Sequence, residues 1–198
     1  MTFERERHIV PGGYVSPVAQ DMPETPSALD AIFRRRSIRR YTARLVEPEA
    51  LELLLQAGMA APSAMNCKPW EFVVVTESEK LAQFRKRLLF GDRNAPAAIV
   101  VCGNPSLSPN PAARLFWMQD CSAAAENILI AAAGLGLGTV WIGVHPVAEF
   151  VRIVRQIVGL PRRVTPLCIV YVGYAEEQKP PRTQYDASRI HRQKYGAH

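Results

Sequence analysis

Cysteine is scarce and unpatterned in this sequence. It occurs four times, as Cys67, Cys102, Cys121 and Cys168, with no C-x-x-C pair and no histidine at metal-ligand spacing. Such cysteines read as reduced, buried thiols packed as small apolar groups, not as disulfides or metal ligands. No uninterrupted apolar run of membrane-spanning length exists: the longest apolar stretch, Ile128 to Val144, is broken by four glycines and reads as core. The N-terminal Glu4-Arg5-Glu6-Arg7 lacks the apolar region of a signal peptide, so a cytoplasmic chain without a membrane partner is expected. Internal repeats and low-complexity tracts are missing as well. Acidic residues are outnumbered, 18 against 24 lysines and arginines, for a net charge of +6. That excess permits an anionic partner without choosing among nucleotide, nucleic acid and acidic surface. Aromatic residues make up 8% of the chain, and the two beside the main basic cluster, Phe33 and Tyr41, are better spent on packing. A nucleic-acid module needs stacking or groove-reading residues there, so no nucleic-acid partner is expected.

What the sequence does contain is organised around Asp120 to Val144. Ser122 to Ala133 is apolar nearly all the way round and small-sided, the pattern of a helix buried on every side. Gly134, Gly136 and Gly138 end it and turn the chain, and Thr139 to Ile142 forms a short buried strand ending at Gly143. A small-sided helix that delivers a glycine-ended strand edge suits a planar ligand.

Around this stretch the length, 198 residues, fits one core domain over residues 27–175, with an N-terminal arm over 1–26 and a C-terminal arm over 176–198. Ser27-Ala28-Leu29-Asp30 resembles a capping box opening a helix, and Pro48 starts a second, with Leu51, Leu54, Leu55 and Met59 on its inner face. Thr76-Glu77-Ser78-Glu79 is a further capping box, followed by Leu81, Phe84 and Leu88 on one face. Val147 to Val158 is amphipathic and stops at Gly159. Strands are expected over Glu71–Val75, Ala97–Val101, Thr139–Ile142 and Leu167–Val172, with a loop over Asn104–Pro111. The alternation makes the fold α+β or α/β, and the two polar arms point to a second copy of the chain as partner.

Four short segments carry the chemistry. Arg34 to Arg40 presents guanidinium groups that match phosphate geometry and oppose a helix dipole, although spacing alone favours a solvated basic face. Ala61-Pro62-Ser63-Ala64-Met65-Asn66-Cys67-Lys68-Pro69-Trp70 is a stiff loop with short-range donors. Gly138-Thr139-Val140-Trp141-Ile142-Gly143 is a strand, and Lys179-Pro180-Pro181-Arg182 a charged linker. In this order they resemble the nitroreductase family of flavin enzymes, from about Ala28 to the C-terminus.

The resemblance implies a nitroreductase-like α+β fold with a mostly antiparallel central sheet flanked by helices. It also implies an intertwined homodimer with non-covalent FMN at the interface and NAD(P)H as co-substrate. Arg35, Ser37 and Arg39 would hold the phosphate, ribityl chain and pyrimidine edge, with Arg36 assisting. Arg182 would reach the phosphate, as would Lys179 more weakly. Pro62, Ser63 and Ala64 would lie over the ring from the other subunit, with Asn66 nearby. Trp141, Ile142 and the Gly143 backbone would face the ring edge. Lys68 departs from the glutamine the family often carries there, placing a cation near the pyrimidine oxygens. The short connections Leu88–Pro96 and Asn104–Phe116 leave little for a substrate-covering lid, which disfavours the deiodinase-like branch. The implied activity is ping-pong electron transfer to a small flat acceptor, a nitroaromatic, quinone or similar. Alternatives are a dehalogenating or flavin-consuming branch of the family, and a flavin carrier or sensor without turnover. No cysteine or histidine is assigned to catalysis, His145 being structural, and no metal is expected.

Overall fold

Strands form where β-branched residues saturate the sequence. The computed structural model describes residues 28–181 and 183–197. Its sheet runs β1 (Trp70–Val75), β2 (Ala97–Gly103), β4 (Thr165–Gly173), β3 (Gly138–Gly143) in spatial order, every neighbour antiparallel. Each strand lies within two residues of its expected span. β2 and β4 occupy the middle and are buried along almost their whole length, which is why they read as continuous apolar runs and not as alternations.

The helices are α1 (Ala28–Arg34), α2 (Pro48–Met59), α3 (Ser78–Arg87), α4 (Ala112–Gly134) and α5 (Ala148–Val158). Successive side chains of the central strands point to opposite faces. Ile99, Val101, Val170 and Val172 meet Leu54 of α2 and Ala125 and Ile128 of α4. Val100, Cys102, Ile169 and Tyr171 meet Phe84 of α3 and Val154 of α5. The result is an α+β sandwich of three layers, with α1 packed against α4.

Three expectations are corrected. α4 begins at Ala112, directly after the expected loop over Asn104–Pro111, which contains a short 3-10 turn over Pro105–Leu107; Ala112–Phe116, expected as part of the connection, is helical. Nor is α4 covered on all sides within one chain. Ala113, Cys121, Ala124, Ala125, Ile128 and Ala132 form its buried stripe; within Ser122–Ala133 Glu126 is exposed and Ala123, Ile130 and Ala131 are half-buried, and nearer the N-terminus Leu115, Phe116 and Met118 are exposed. Thr76 does not cap α3, whose N-cap position is Glu77 with no side-chain cap; the Glu77 carboxylate instead takes the Lys80 ammonium at 2.7 Å. Ser27, the expected cap of α1, and the arm over 1–26 lie outside the described residues.

Two glycines govern how α4, β3 and the segment after α1 come together. Gly136 sits at φ +72°, a left-handed turn that lets the Leu137 N–H return to the Ala132 carbonyl at 2.8 Å and close α4. At Gly138 a Cβ would come within 2.9 Å of the Ile38 side chain, so the missing side chain lets the segment after α1 lie directly against β3.

Candidate active site

The segment after α1 is amphipathic: Ile38 and Tyr41 point inward and are almost fully buried, while Arg39 and Arg40 stay exposed. The Ile38 N–H donates to the Thr139 carbonyl at 2.8 Å, and Ser37 bridges to Thr139, which fixes the segment on β3. The Tyr41 hydroxyl donates to the Ile38 carbonyl at 2.6 Å, and burial pushes that hydroxyl well above its ordinary pKa, so it stays a neutral donor. Asn94 clamps the Tyr41 backbone from both sides, accepting its N–H at 3.0 Å and donating to its carbonyl at 2.6 Å.

The C-terminal segment returns along this stretch. The Thr42 N–H donates to the Tyr174 carbonyl at 2.9 Å and the Glu176 N–H to the Arg40 carbonyl at 3.1 Å. Glu177 Oε1 accepts the Arg39 N–H at 2.5 Å and the Arg40 N–H at 3.3 Å. The Lys179 ammonium sits 3.1 Å from the same oxygen and donates to the Ser37 carbonyl at 2.6 Å. Arg36 Nη1 donates to the Pro180 carbonyl. The Arg39 N–H, followed by the Lys179 cation, holds the Glu177 carboxyl below its usual range.

Between these segments lies a cavity of about 500 Å³ walled by Arg34, Arg35, Arg36, Gly138, Glu177 and Lys179, within the size range of small-molecule sites. Arg35 is weakly committed, its Nε standing 3.7 Å from Glu126 Oε1, so its guanidinium can serve an anion. Lys179 is committed, to Ser37 and Glu177. Arg182 lies outside the described residues.

The second group sits elsewhere. Pro62, Ser63, Ala64, Asn66 and Lys68 lie on a loop wrapped over the N-terminal half of α4. Cys67 packs on Ala112 and Ala113, and the Ala64 N–H donates to Asp120 Oδ1 at 2.9 Å. Ser63 Oγ accepts the Lys68 N–H at 3.0 Å, closing a loop in which Met65, Asn66 and Lys68 all take positive φ. Pro62, Asn66 and Lys68 are exposed, Ser63 and Ala64 half-buried.

Ala133, at the far end of α4, lines the arginine-walled cavity. From Asp120 to Ala133 the helix rises about 20 Å, at roughly 1.5 Å per residue. β3 spans the same interval: Gly138 stands at the cavity, and about 17 Å further on, at roughly 3.3 Å per residue, Gly143 is exposed with no atom near the position of a Cβ. Beyond it the His145 ring meets Trp117 of α4 edge-on at 5.0 Å. Trp141 is half-buried and Ile142 buried.

All four cysteines are free and buried. Burial pushes the Cys102 and Cys121 thiols up to about 12 and Cys168 well above its ordinary value, so these three offer no thiolate. No cluster of metal-ligating side chains and no helix able to cross a membrane occurs among the described residues. Sequence reasoning missed Glu177 and Asp120 as organising groups. The acid–base pair at 177 and 179, on one side of an extended segment, was the available signal for the first; for the second there was none.

Residues 32–92 and 83–174 match the model of the nitroreductase family. A protein of Archaeoglobus fulgidus, provisionally named an NADH dehydrogenase/NAD(P)H nitroreductase, is 43% identical over 172 residues, spanning 84% of this chain and 98% of that protein. A Bacteroides thetaiotaomicron structure of the same provisional name superposes with a TM-score of 0.80 at 41% identity, over 86% of this chain and 99% of the other. A provisionally named nitroreductase of Desulfovibrio desulfuricans, solved in complex with FMN, gives a TM-score of 0.71 at 28% identity, over 86% and 98% of the two chains.

Proposed function

The chain belongs to the nitroreductase family, and from that membership we propose that it is an FMN-dependent NAD(P)H oxidoreductase acting on a small flat acceptor such as a nitroaromatic or quinone. The observation that carries this reading is the layout along β3. At one end stands an arginine-walled cavity of about 500 Å³; at the other is an exposed glycine edge with open space before it. That layout suits a long cofactor with an anionic end and a flat end.

In this reading Arg35 and Arg36, with Arg182, meet the phosphate, and Ser37 meets the ribityl hydroxyls. Arg39, with Lys68 on the loop that also carries Ser63 and Asn66, places positive charge at the pyrimidine edge, and Trp141, Ile142 and the Gly143 N–H orient the ring. Bound FMN would supply hydride acceptance from NAD(P)H and electron delivery to the acceptor. The protein contributes binding, orientation and charge, and a pocket that nucleotide and acceptor occupy in turn, the basis of a ping-pong cycle. Pro62, Ser63, Ala64 and Asn66 serve the site of a second copy in a homodimer. One feature supports that assignment: Leu115, Phe116 and Met118 of α4 are left uncovered by the rest of the chain.

The test is the visible spectrum of the purified protein, followed by anaerobic NADH and NADPH. A two-band flavin spectrum that bleaches supports the reading. A flavin spectrum that persists makes the chain a carrier or sensor, and failure to take up FMN overturns the reading altogether.

A further inference from the structure

Two charged side chains of the C-terminal segment are spent on backbone groups of the arginine segment. Glu177 takes the N–H groups of Arg39 and Arg40, and Lys179 takes the carbonyl of Ser37, while the two side chains pair with each other. Both are largely sheltered, at 15% and 24% side-chain exposure, so the contacts are screened less than an ordinary surface pair. We propose that Glu177, acting with Lys179, is a positioning residue that sets the site's selectivity for a phosphorylated flavin. It does so by fixing the backbone from which the arginines reach the phosphate, and it does not touch the cofactor.

The charges make the idea testable by sign. Glu177 is an acid on the wall of a cavity assigned to an anion. A carboxylate that acted only through its charge would repel the phosphate, so removing it would tighten phosphate binding. A carboxylate that holds the Ser37–Arg40 backbone does the opposite: its loss releases two N–H groups, frees the Lys179 ammonium from its partner, and lets the guanidinium groups lose their common orientation. Because Lys179 is already paired with Glu177, the two side chains together add little net charge to the cavity, and their effect on the phosphate is geometric.

This inference rests on the FMN reading, and the experiment separates the two. The flavin-free full chain, as wild type, Glu177→Ala, Glu177→Gln and Lys179→Met, is titrated with FMN and with riboflavin, and binding is followed by flavin fluorescence. Wild type should prefer FMN. Glu177→Ala should lower that preference by about tenfold, with riboflavin affinity little changed, whereas Glu177→Gln, which keeps an acceptor oxygen for both N–H groups, should stay within about threefold. Lys179→Met should fall between them. An unchanged or increased FMN preference in Glu177→Ala overturns the proposal, as does an equal loss for both flavins, which marks general loosening of the fold. Wild type that binds neither flavin overturns the FMN reading and this inference with it.

Discussion

Asp120 Oδ1 accepts the Ala64 N–H at 2.9 Å, tying the loop assigned to the flavin ring to the middle of α4. The carboxylate is 5% exposed, and its second oxygen is buried without a donor among the described residues. Replacing Asp120 with Ala leaves a half-buried N–H without its acceptor and should cost about 1 kcal/mol or more. Asn keeps an acceptor for Ala64 and exchanges only the unpartnered oxygen, so it should cost less than about 1 kcal/mol. Urea unfolding of the two variants checks this, and equal losses would mean that the Ala64 contact is not what the carboxylate supplies.

Glu47 joins the turn before α2 to the end of β4. It accepts the Tyr174 hydroxyl at 2.6 Å and the Arg44 guanidinium at 2.7 Å, while Arg44 also lies 3.9 Å over the Tyr174 ring. The Tyr174 hydroxyl first, and Arg44 second, hold the Glu47 carboxyl at about 2. A folded-state pKa below the unfolded value stabilises the fold above the unfolded value, near 4.5, and loses that contribution as pH falls toward about 2. Melting temperatures of wild type and Glu47→Gln should therefore differ at neutral pH and converge as the pH falls from 4.5 to about 2. A constant gap across that window would contradict the linkage.

Gly103 and Gly143 end neighbouring parts of the sheet and should respond oppositely to alanine. At Gly103 a Cβ would lie 2.1 Å from the Trp117 ring, so Gly103→Ala must displace the indole and should destabilise by about 1–3 kcal/mol. At Gly143 a Cβ meets nothing within 4 Å, so stability should stay within about 0.5 kcal/mol. If the flavin edge lies against Gly143, the added methyl should still lower flavin occupancy. Thermal melts read the first effect and absorbance ratios the second. A Gly143→Ala protein with full flavin would place the ring elsewhere.

The central strands and the arginine segment were legible because each shows in a single stretch: β2 and β4 as unbroken apolar runs, Arg34–Arg40 as charge density. The first turns of α4 were less so: the loop end at Pro111 was legible, but the inner face that follows is Ala113, Trp117, Asp120 and Cys121, a mixture of small, aromatic and acidic residues without the aliphatic period that marks a helix. Thr76 failed as a cap because the helix starts one residue later than the box implies, with Glu77 at the N-cap. Glu177 escaped for another reason. Its partners are backbone N–H groups 138 and 137 residues away, and a backbone donor is the same in every residue type but proline.

Arg35 lets cofactor binding be separated from folding. Its one ion pair among the described residues is long, 3.7 Å to a Glu126 that is itself half exposed, so Arg35→Ala should cost less than about 1 kcal/mol of stability. The same side chain lines the cavity assigned to the phosphate, where loss of a charged donor should weaken FMN by about tenfold or more. Arg152→Ala is the matched control: it removes the same charge from α5, on the opposite face of the sheet, where Arg152 pairs with Glu149. If general basicity attracts the cofactor, both variants lose flavin together and high salt abolishes the difference from wild type. If Arg35 binds the phosphate, only Arg35→Ala is purified pale, and its riboflavin affinity matches that of wild type. Full flavin occupancy in Arg35→Ala would remove this arginine from the site.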